Sequence, residues 1–270
     1  MKLPLYQIDA FANQVFEGNS AAICPLKSWL ADELMQKIAA ENNLSETAFF
    51  VPADTGYHIR WFTPVCEVDL CGHATLAAAF VIFNLLGDEI ENKNKNKNKN
   101  KNKINFDSKS GVLVVTKKEN FLEMDFPAQP ATPCAIPEAI LTAFNVRPMA
   151  CLKSQDYIVV FDSEDDVIKA KPDMLKLSVL DLRGVAITAK GKDYDFVTRF
   201  FAPKYGIDED PVTGSAFTQL IPYWSEELAR NKLSAKQISK RGGEVSCVDE
   251  VDRVKIAGKA VLYLVGEIEV

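Results

Sequence analysis

Arg60-Trp61-Phe62-Thr63-Pro64, running on to Gly72-His73-Ala74, is answered later in the chain by Arg199-Phe200-Phe201-Ala202-Pro203, running on to Gly214-Ser215-Ala216. Twelve residues separate Arg from Gly in the first copy and fifteen in the second, and each Gly opens an apolar, helix-like segment that meets no charge until well downstream. The chain therefore reads as a duplication. Each copy is a strand, an acidic turn and a glycine-led helix start, and a helix start offers backbone N–H groups that bind anions. Two such starts facing each other would make a site between the halves.

The 270 residues then divide into two units of roughly 120 to 140 residues each, long enough for each to bury its own core. The first half is placed at residues 1–117, with the strand-like run 260–270 as a candidate to complete it, and the second half at 118–259. Apolar residues at 47% and charged residues at 25% fit a globular protein, and a net charge of −6 argues against nucleic acid as a partner. Met1-Lys2-Leu3-Pro4-Leu5 enters a strand-like run without the pattern of a signal peptide, which makes the cytoplasm the expected location. The longest charge-free apolar stretch, Ala74 to Leu86, falls short of the roughly 18 to 20 residues of a membrane span and reads as a helix buried inside a domain.

Cysteines at 24, 66, 71, 134, 151 and 247 form no CxxC pair, and most of them read as core packing in a reducing compartment. Cys66, Cys71 and His73 sketch a partial metal site, but the chain has only one further histidine, His58, and no second Cys/His cluster, so no metal is expected.

Short β-branched and aromatic runs predict strands at Leu5 to Ala12, Ile59 to Phe62, Val112 to Thr116, Phe121 to Phe126, Tyr157 to Phe161, Val185 to Thr188, Phe196 to Phe201, Val254 to Ile256 and Ala260 to Val265. They suggest two strongly curved sheets. Ser28 is the expected cap of a helix with Asp32 and Glu33 in its first turn and Leu30, Leu34 and Ile38 on one face, ended by Asn42-Asn43. The segments after Gly72 and Gly214 are apolar nearly all round, as helices enclosed by their own sheets would be, and Pro222 should kink or end the second. Residues 91–103 alternate Asn and Lys and read as a surface loop without a specific contact. Its lysines offset a body more acidic than the net charge suggests, so an anionic substrate needs local attraction.

One more segment carries chemistry. In Leu44-Ser45-Glu46-Thr47-Ala48-Phe49-Phe50 a single carboxylate sits at the mouth of an apolar strand. Burial in such a setting raises a carboxyl pKa and lets one group take and return a proton near neutral pH. Glu46 is the general acid/base candidate. Read locally, Glu46 serves equally well as a cap on the Ser45 turn.

Phe16-Glu17-Gly18-Asn19-Ser20-Ala21-Ala22, Asn43-Leu44-Ser45-Glu46-Thr47-Ala48-Phe49, Arg60 to Pro64, Glu67-Val68-Asp69-Leu70-Cys71-Gly72-His73-Ala74-Thr75 and Asp210-Pro211-Val212-Thr213-Gly214-Ser215-Ala216 together resemble the PhzF family of phenazine-biosynthesis-like proteins. The resemblance implies an α+β, diaminopimelate-epimerase-like fold: two similar halves, each a curved, mostly antiparallel sheet around a central helix, with the site in the cleft between them. It implies a cofactor-independent isomerase that moves a proton on a small carboxylate-bearing substrate, with Glu46 as proton carrier. His73, Asp210 and Ser215 fall on the family's other site positions, and a homodimer is implied as well. On physical grounds Asp210 is expected to orient or charge His73, Gly72 and Gly214 to let a ligand reach the helix-start amides, and Asn19 to close the first-half wall. The partner is then a small anionic metabolite, with neither nucleic acid nor membrane.

Two other functions compete. A two-base racemase would use paired cysteines; Cys71 supplies one beside a helix start, where its pKa would drop, but no cysteine lies between Lys204 and Glu244 to supply the second. A non-catalytic protein binding a small acid would keep the helix starts and need no poised Glu46.

Overall fold

The computed structural model describes residues 1–86 and 102–270. The Asn/Lys tract lies outside the described residues except for Asn102 and Lys103. The chain forms two compact units, Met1–Asp125 with Ala257–Val270, and Phe126–Ile256.

The first unit is built from β1 (Lys2–Ala10), β2 (Asn19–Pro25), α1 (Asp32–Asn42), β3 (Glu46–Ala53), β4 (Gly56–Phe62), the short β5 (Glu67–Val68), α2 (Gly72–Asn84), β6 (Lys103–Ser108), β7 (Gly111–Lys118) and β8 (Phe121–Pro127). β1 and β2 are antiparallel, β2 and β3 parallel, β3 and β4 antiparallel, β4 and β6 parallel, and β6 and β7 antiparallel. The C-terminal strand, Ala260–Glu269, returns to pair with β1. Parallel neighbours need a crossover connection, usually a helix. α1 supplies the first crossover and α2 the second.

The second unit follows with β9 (Thr132–Pro133), α3 (Glu138–Ala143), β10 (Ala150–Lys153), β11 (Tyr157–Val160), α4 (Glu164–Lys169), α5 (Met174–Ser178), β12 (Val185–Lys190), β13 (Phe196–Ala202), β14 (Ile207–Asp210), α6 (Gly214–Leu228), β15 (Lys232–Gln237), β16 (Gly243–Asp249) and β17 (Arg253–Gly258). Its pairing repeats the first: β10 and β11 antiparallel, β11 and β12 parallel, β12 and β13 antiparallel, β13 and β15 parallel, β15 and β16 antiparallel. The duplication read from two short motifs thus extends to the whole topology.

The repeated arginines explain why those motifs stand out. Arg60 donates from Nε and Nη2 to both oxygens of Glu67 at 2.7 and 2.9 Å, and its guanidinium lies 5.2 Å from the Phe62 ring centroid. Arg199 does the same with Glu209 at 2.7 and 3.0 Å and lies 5.0 Å from Phe201. Each bidentate pair, stacked on an aromatic two residues on, fixes the hairpin that leads into the central helix. Arg199 also donates from Nη1 to Val167 O and Ala170 O, satisfying carbonyls at the end of α4.

The central helices are enclosed. On α2 every residue from His73 to Ala79, together with Val81 and Ile82, is buried. Its alanines let β1, β2, β3 and β7 close around it. On α6 the run Ala216 to Ile221 and Trp224 are buried. Trp224 stacks on Phe196 at 5.6 Å and donates to Thr188 Oγ1. α1 packs outside, with Met35, Ile38 and Ala39 against Phe49, Val51 and Phe62.

One expectation about helix ends is corrected and another narrowed. The cap of α1 is Ala31, not Ser28, and no side chain bonds there; the helix begins at the acidic pair Asp32-Glu33, whose charges suit its N-terminus. It ends at Asn43, which takes a left-handed φ of 49°. Pro222 does not end α6, which runs to Leu228. A proline costs its helix the bond to the carbonyl four residues back. Here that carbonyl, on Thr218, accepts Gln129 N–H at 2.9 Å. No helix among the described residues is long and apolar enough to cross a membrane.

Arg199→Met leaves Glu209 and two carbonyls without partners and is expected to cost on the order of 3 kcal/mol. Arg60→Met should cost less, because its other partner, Asp32, is exposed. Urea unfolding followed by tryptophan fluorescence would measure both, and a larger loss for Arg60→Met would contradict the ranking.

Candidate functional site

Topology gathers the first unit's polar residues at one edge. Asn19 is the first residue of β2 and Glu46 the first of the parallel β3, while β4 runs back to that edge and leads through β5 into α2. Asn19 follows Gly18, whose φ of +64° and whose approach to Ala10 O, 2.1 Å from an added Cβ, leave no room for a side chain. The duplicated turn then brings His73 to the second position of α2.

His73 is nearly fully buried. Its Nε2 lies 3.1 Å from Glu46 Oε2, and neither atom has a hydrogen bond to any other group among the described residues. Its Nδ1 lies 3.3 Å from Asn19 Nδ2 and 3.5 Å from Cys71 Sγ. Asn19 is fully buried, and its Oδ1 accepts from Ser45 Oγ at 3.0 Å. In this arrangement Asn19 donates to Nδ1, which assigns the neutral imidazole's proton to Nε2, facing Glu46. Exchanging O and N of the amide, with the Ser45 hydroxyl rotated to accept, would satisfy a doubly protonated ring. The network therefore serves His73 with and without its extra proton.

Burial works against charging His73, but the neighbouring Cys71 and Glu46, through electrostatics and the hydrogen bonds to both, outweigh it and hold the imidazole well above its ordinary 6.5. Burial, reinforced by Glu46, pushes the Cys71 thiol up to about 11. At neutral pH the sulfur is therefore protonated and Glu46 carries the effect on His73. This corrects the expectation that the helix start would lower the pKa of Cys71. The thiol is inside, facing a carboxylate, where the helix start cannot compensate for lost solvation.

The carboxylate beside His73 is thus Glu46, a pairing the sequence does not display. Asp210 ends β14 in the second unit, where its Oδ2 accepts from Thr213 Oγ1 at 2.5 Å. Gln237, fully buried, accepts Thr213 N–H at 2.9 Å and donates to Asp210 O at 2.7 Å. This brace positions Gly214, which is buried, and the half-buried Ser215 at the start of α6. Gln237 carried no sequence signal, because it lies outside both repeats.

Neither central helix has a side-chain cap at its N-terminus. Backbone N–H groups of Gly72 and His73, and of Gly214 and Ser215, consequently make no hydrogen bond among the described residues. They suit an anionic group.

Glu46, Cys71 and His73 place an oxygen, a sulfur and a nitrogen within 4.8 Å of one another. The sulfur faces Nδ1 and the oxygen faces Nε2, on opposite edges of one ring. An ion at about 2.0–2.1 Å from either nitrogen would reach only one of the other two ligands, so the arrangement fits a hydrogen-bonded dyad better than a chelate. Cys66 is exposed and bonded into the Thr63 turn, apart from this cluster.

Known proteins match throughout. A Pseudomonas aeruginosa protein named as an uncharacterized isomerase is 47% identical over 266 residues, 98% of each chain. The crystal structure of an Enterococcus faecalis phenazine biosynthesis protein of the PhzF family superposes with a TM-score of 0.93 at 44% identity, covering both chains completely. A hydroxyproline epimerase from Agrobacterium vitis, at 10% identity and a TM-score of 0.62 over 99% of this chain and 92% of its own, shares the fold. The duplicated, strand-wrapped architecture expected from the motifs is therefore established. The family model for phenazine biosynthesis-like proteins matches residues 8–266, and the chain belongs to this PhzC-PhzF family.

Proposed function

We propose that the protein is a cofactor-independent isomerase that moves a proton on a small carboxylate-bearing substrate, with Glu46 as the proton carrier. The observation that carries this reading is the contact between Glu46 and His73 at the head of a buried helix. Close relatives named as isomerases support the class. Glu46 keeps 14% of its side chain exposed, so it meets solvent or substrate while its Oε2 is held by the imidazole. In the reaction Glu46 takes a proton from one substrate atom as a carboxylate and returns it to another as the acid. His73, charged or neutral, donates through Nε2 and steadies the carboxylate before the first step and after the second. Unbonded amides of Gly72 and His73 are placed to receive negative charge on the substrate, and Asn19 fixes the imidazole. In the second unit Asp210, Gly214 and Ser215 are proposed as substrate-binding residues.

The two-cysteine racemase is disfavoured by two observations. Cys71 is a buried thiol pushed up to about 11. Its counterpart in the repeat, one residue before Gly214, is Thr213.

Glu46→Gln preserves size and hydrogen bonding but removes the titrating group, so turnover should fall by about 100-fold or more while ligand binding persists. Cys71→Ala should do little. The measurement is solvent deuterium incorporated into a panel of small amino and unsaturated acids, read by proton NMR. Undiminished exchange in Glu46→Gln would sink the proton-carrier assignment, whereas exchange by neither wild type nor variant with any acid bound would favour a binding protein.

The pH dependence of stability follows from His73. Its folded value lies above the ordinary 6.5, so its contribution is fully present below that value and is lost as pH rises through the folded value. The Tm advantage of wild type over His73→Gln should therefore shrink as pH rises above the ordinary 6.5 into the alkaline range. A gap that widens with pH would contradict the assignment.

A further inference from the structure

The strand registers give each site position in the first unit a counterpart in the second. Thr47 and Phe49 stand opposite Phe62 and Arg60, as Val185 and Ile187 stand opposite Phe201 and Arg199. Glu46 therefore matches Gly184, and Ser45 matches Arg183. His73 matches Ser215 and Cys71 matches Thr213. Where the first unit has a carboxylate and an imidazole, the second has a glycine and a serine, with a guanidinium next to the glycine.

Arg183 is held with care for direction. Its Nε and Nη2 donate to the two oxygens of Asp156 at 2.9 and 2.5 Å. Asp156 is fully buried, accepts from Gln219 Nε2 at 2.6 Å, and donates its own N–H to Gln219 Oε1 at 3.0 Å. Gln219 follows Ser215 by four residues, so both lie on one face of α6. The guanidinium is tied through Asp156 to that face. It lies 5.5 Å from the ring centroid of Phe200, which pairs with Asp210 across β13 and β14. Gly184 makes this possible, since a Cβ there would meet Phe200 Cζ at 2.5 Å. Arg183 Nη1 makes no hydrogen bond among the described residues, and its side chain is 35% exposed. Burial works against the charge, while Asp156 and, further off, Asp210 sustain it.

We propose that Arg183 is a specificity-determining residue that receives the substrate carboxylate at Nη1. The inference rests on the reading of the substrate as a small carboxylic acid and names the group that recognises it. Because Asp156 and Asp210 offset its charge, Arg183 supplies an aimed donor rather than a positive field. A planar carboxylate is then favoured over a tetrahedral inorganic anion.

Calorimetric titration with benzoate, benzamide and sulfate tests this. Wild type should bind benzoate at least about tenfold more tightly than benzamide or sulfate. Arg183→Lys keeps the charge but loses the fork, and should surrender that preference with benzamide affinity unchanged. Because removing the partner of a buried carboxylate endangers folding, a second variant joins Arg183→Gln to Asp156→Asn as a neutral pair. It should bind benzoate no better than benzamide. Unchanged benzoate affinity in either folded variant, no benzoate binding by wild type, or sulfate binding as tight as benzoate would overturn the proposal. The proton-carrier reading is tested by deuterium exchange in Glu46→Gln and this one by benzoate affinity in the Arg183 variants, so their failures appear in different measurements.

Discussion

A helix enclosed by strands has only its ends on which to place polar groups, and the chemistry of this protein follows from that constraint. From His73 to Ala79, α2 offers no exposed face, so the only position where a titrating residue can reach a partner is the first turn. There the surroundings are dry, and the contact between His73 and Glu46 is stronger than it would be in water. The same enclosure explains the buried amide of Asn19, which would be costly without Ser45 and His73 as partners. Polar groups that must be satisfied inside a sheet hold one another in a fixed arrangement.

Duplication supplied this constraint twice, and the two copies use it differently. Both units keep the Arg–Glu clamp stacked on phenylalanine and the glycine-led helix start, which concern the approach to the helix. What differs is the side chain one residue on either side of that glycine and at the start of the crossover strand. The first copy has thiol, imidazole and carboxylate; the second has hydroxyl, hydroxyl and no side chain. A pair of helix starts with matched thiols would be suited to symmetrical proton exchange. These starts are unmatched: the titrating side chains lie in the first unit, and the second has hydroxyls in their place.

Much of this was legible in the sequence, for physical reasons that differ by element. Aromatic and β-branched runs such as Phe196 to Phe201 declare strands, and two charge-free segments opened by glycine declare enclosed helices. β2, by contrast, is Asn19 to Pro25, where small residues carry little strand signal, and β15 and β16 alternate polar residues that resemble loops. Helices α3, α4 and α5 are five or six residues long, too short for periodicity, although Ser163 and Asp173 do cap two of them. Proline's effect at position 222 depended on a donor from Gln129, which no local reading supplies. In the site, the motifs identified Glu46 and His73 separately. Their contact joins residues in different elements, and only the crossing of β3 with the start of α2 reveals it. The burial that reverses the expected behaviour of Cys71 is likewise a property of the closed sheet.

The return of the last strand to β1 sets an order on the making of the molecule. During synthesis, residues 126–256 are complete before Ala260–Glu269 has emerged, so the second unit has all of its chain while the first still lacks the strand beside β1. Domains fold as units as they leave the ribosome. Here the N-terminal unit is the exception, because β1 presents an unpaired edge along one side until residues 260–269 have been made. An open edge of that kind is a template for pairing with another chain. The interval between synthesis of residue 126 and residue 269 is therefore when the nascent protein is most exposed to misassociation, and the unit that carries the Glu46–His73 pair is the last to close.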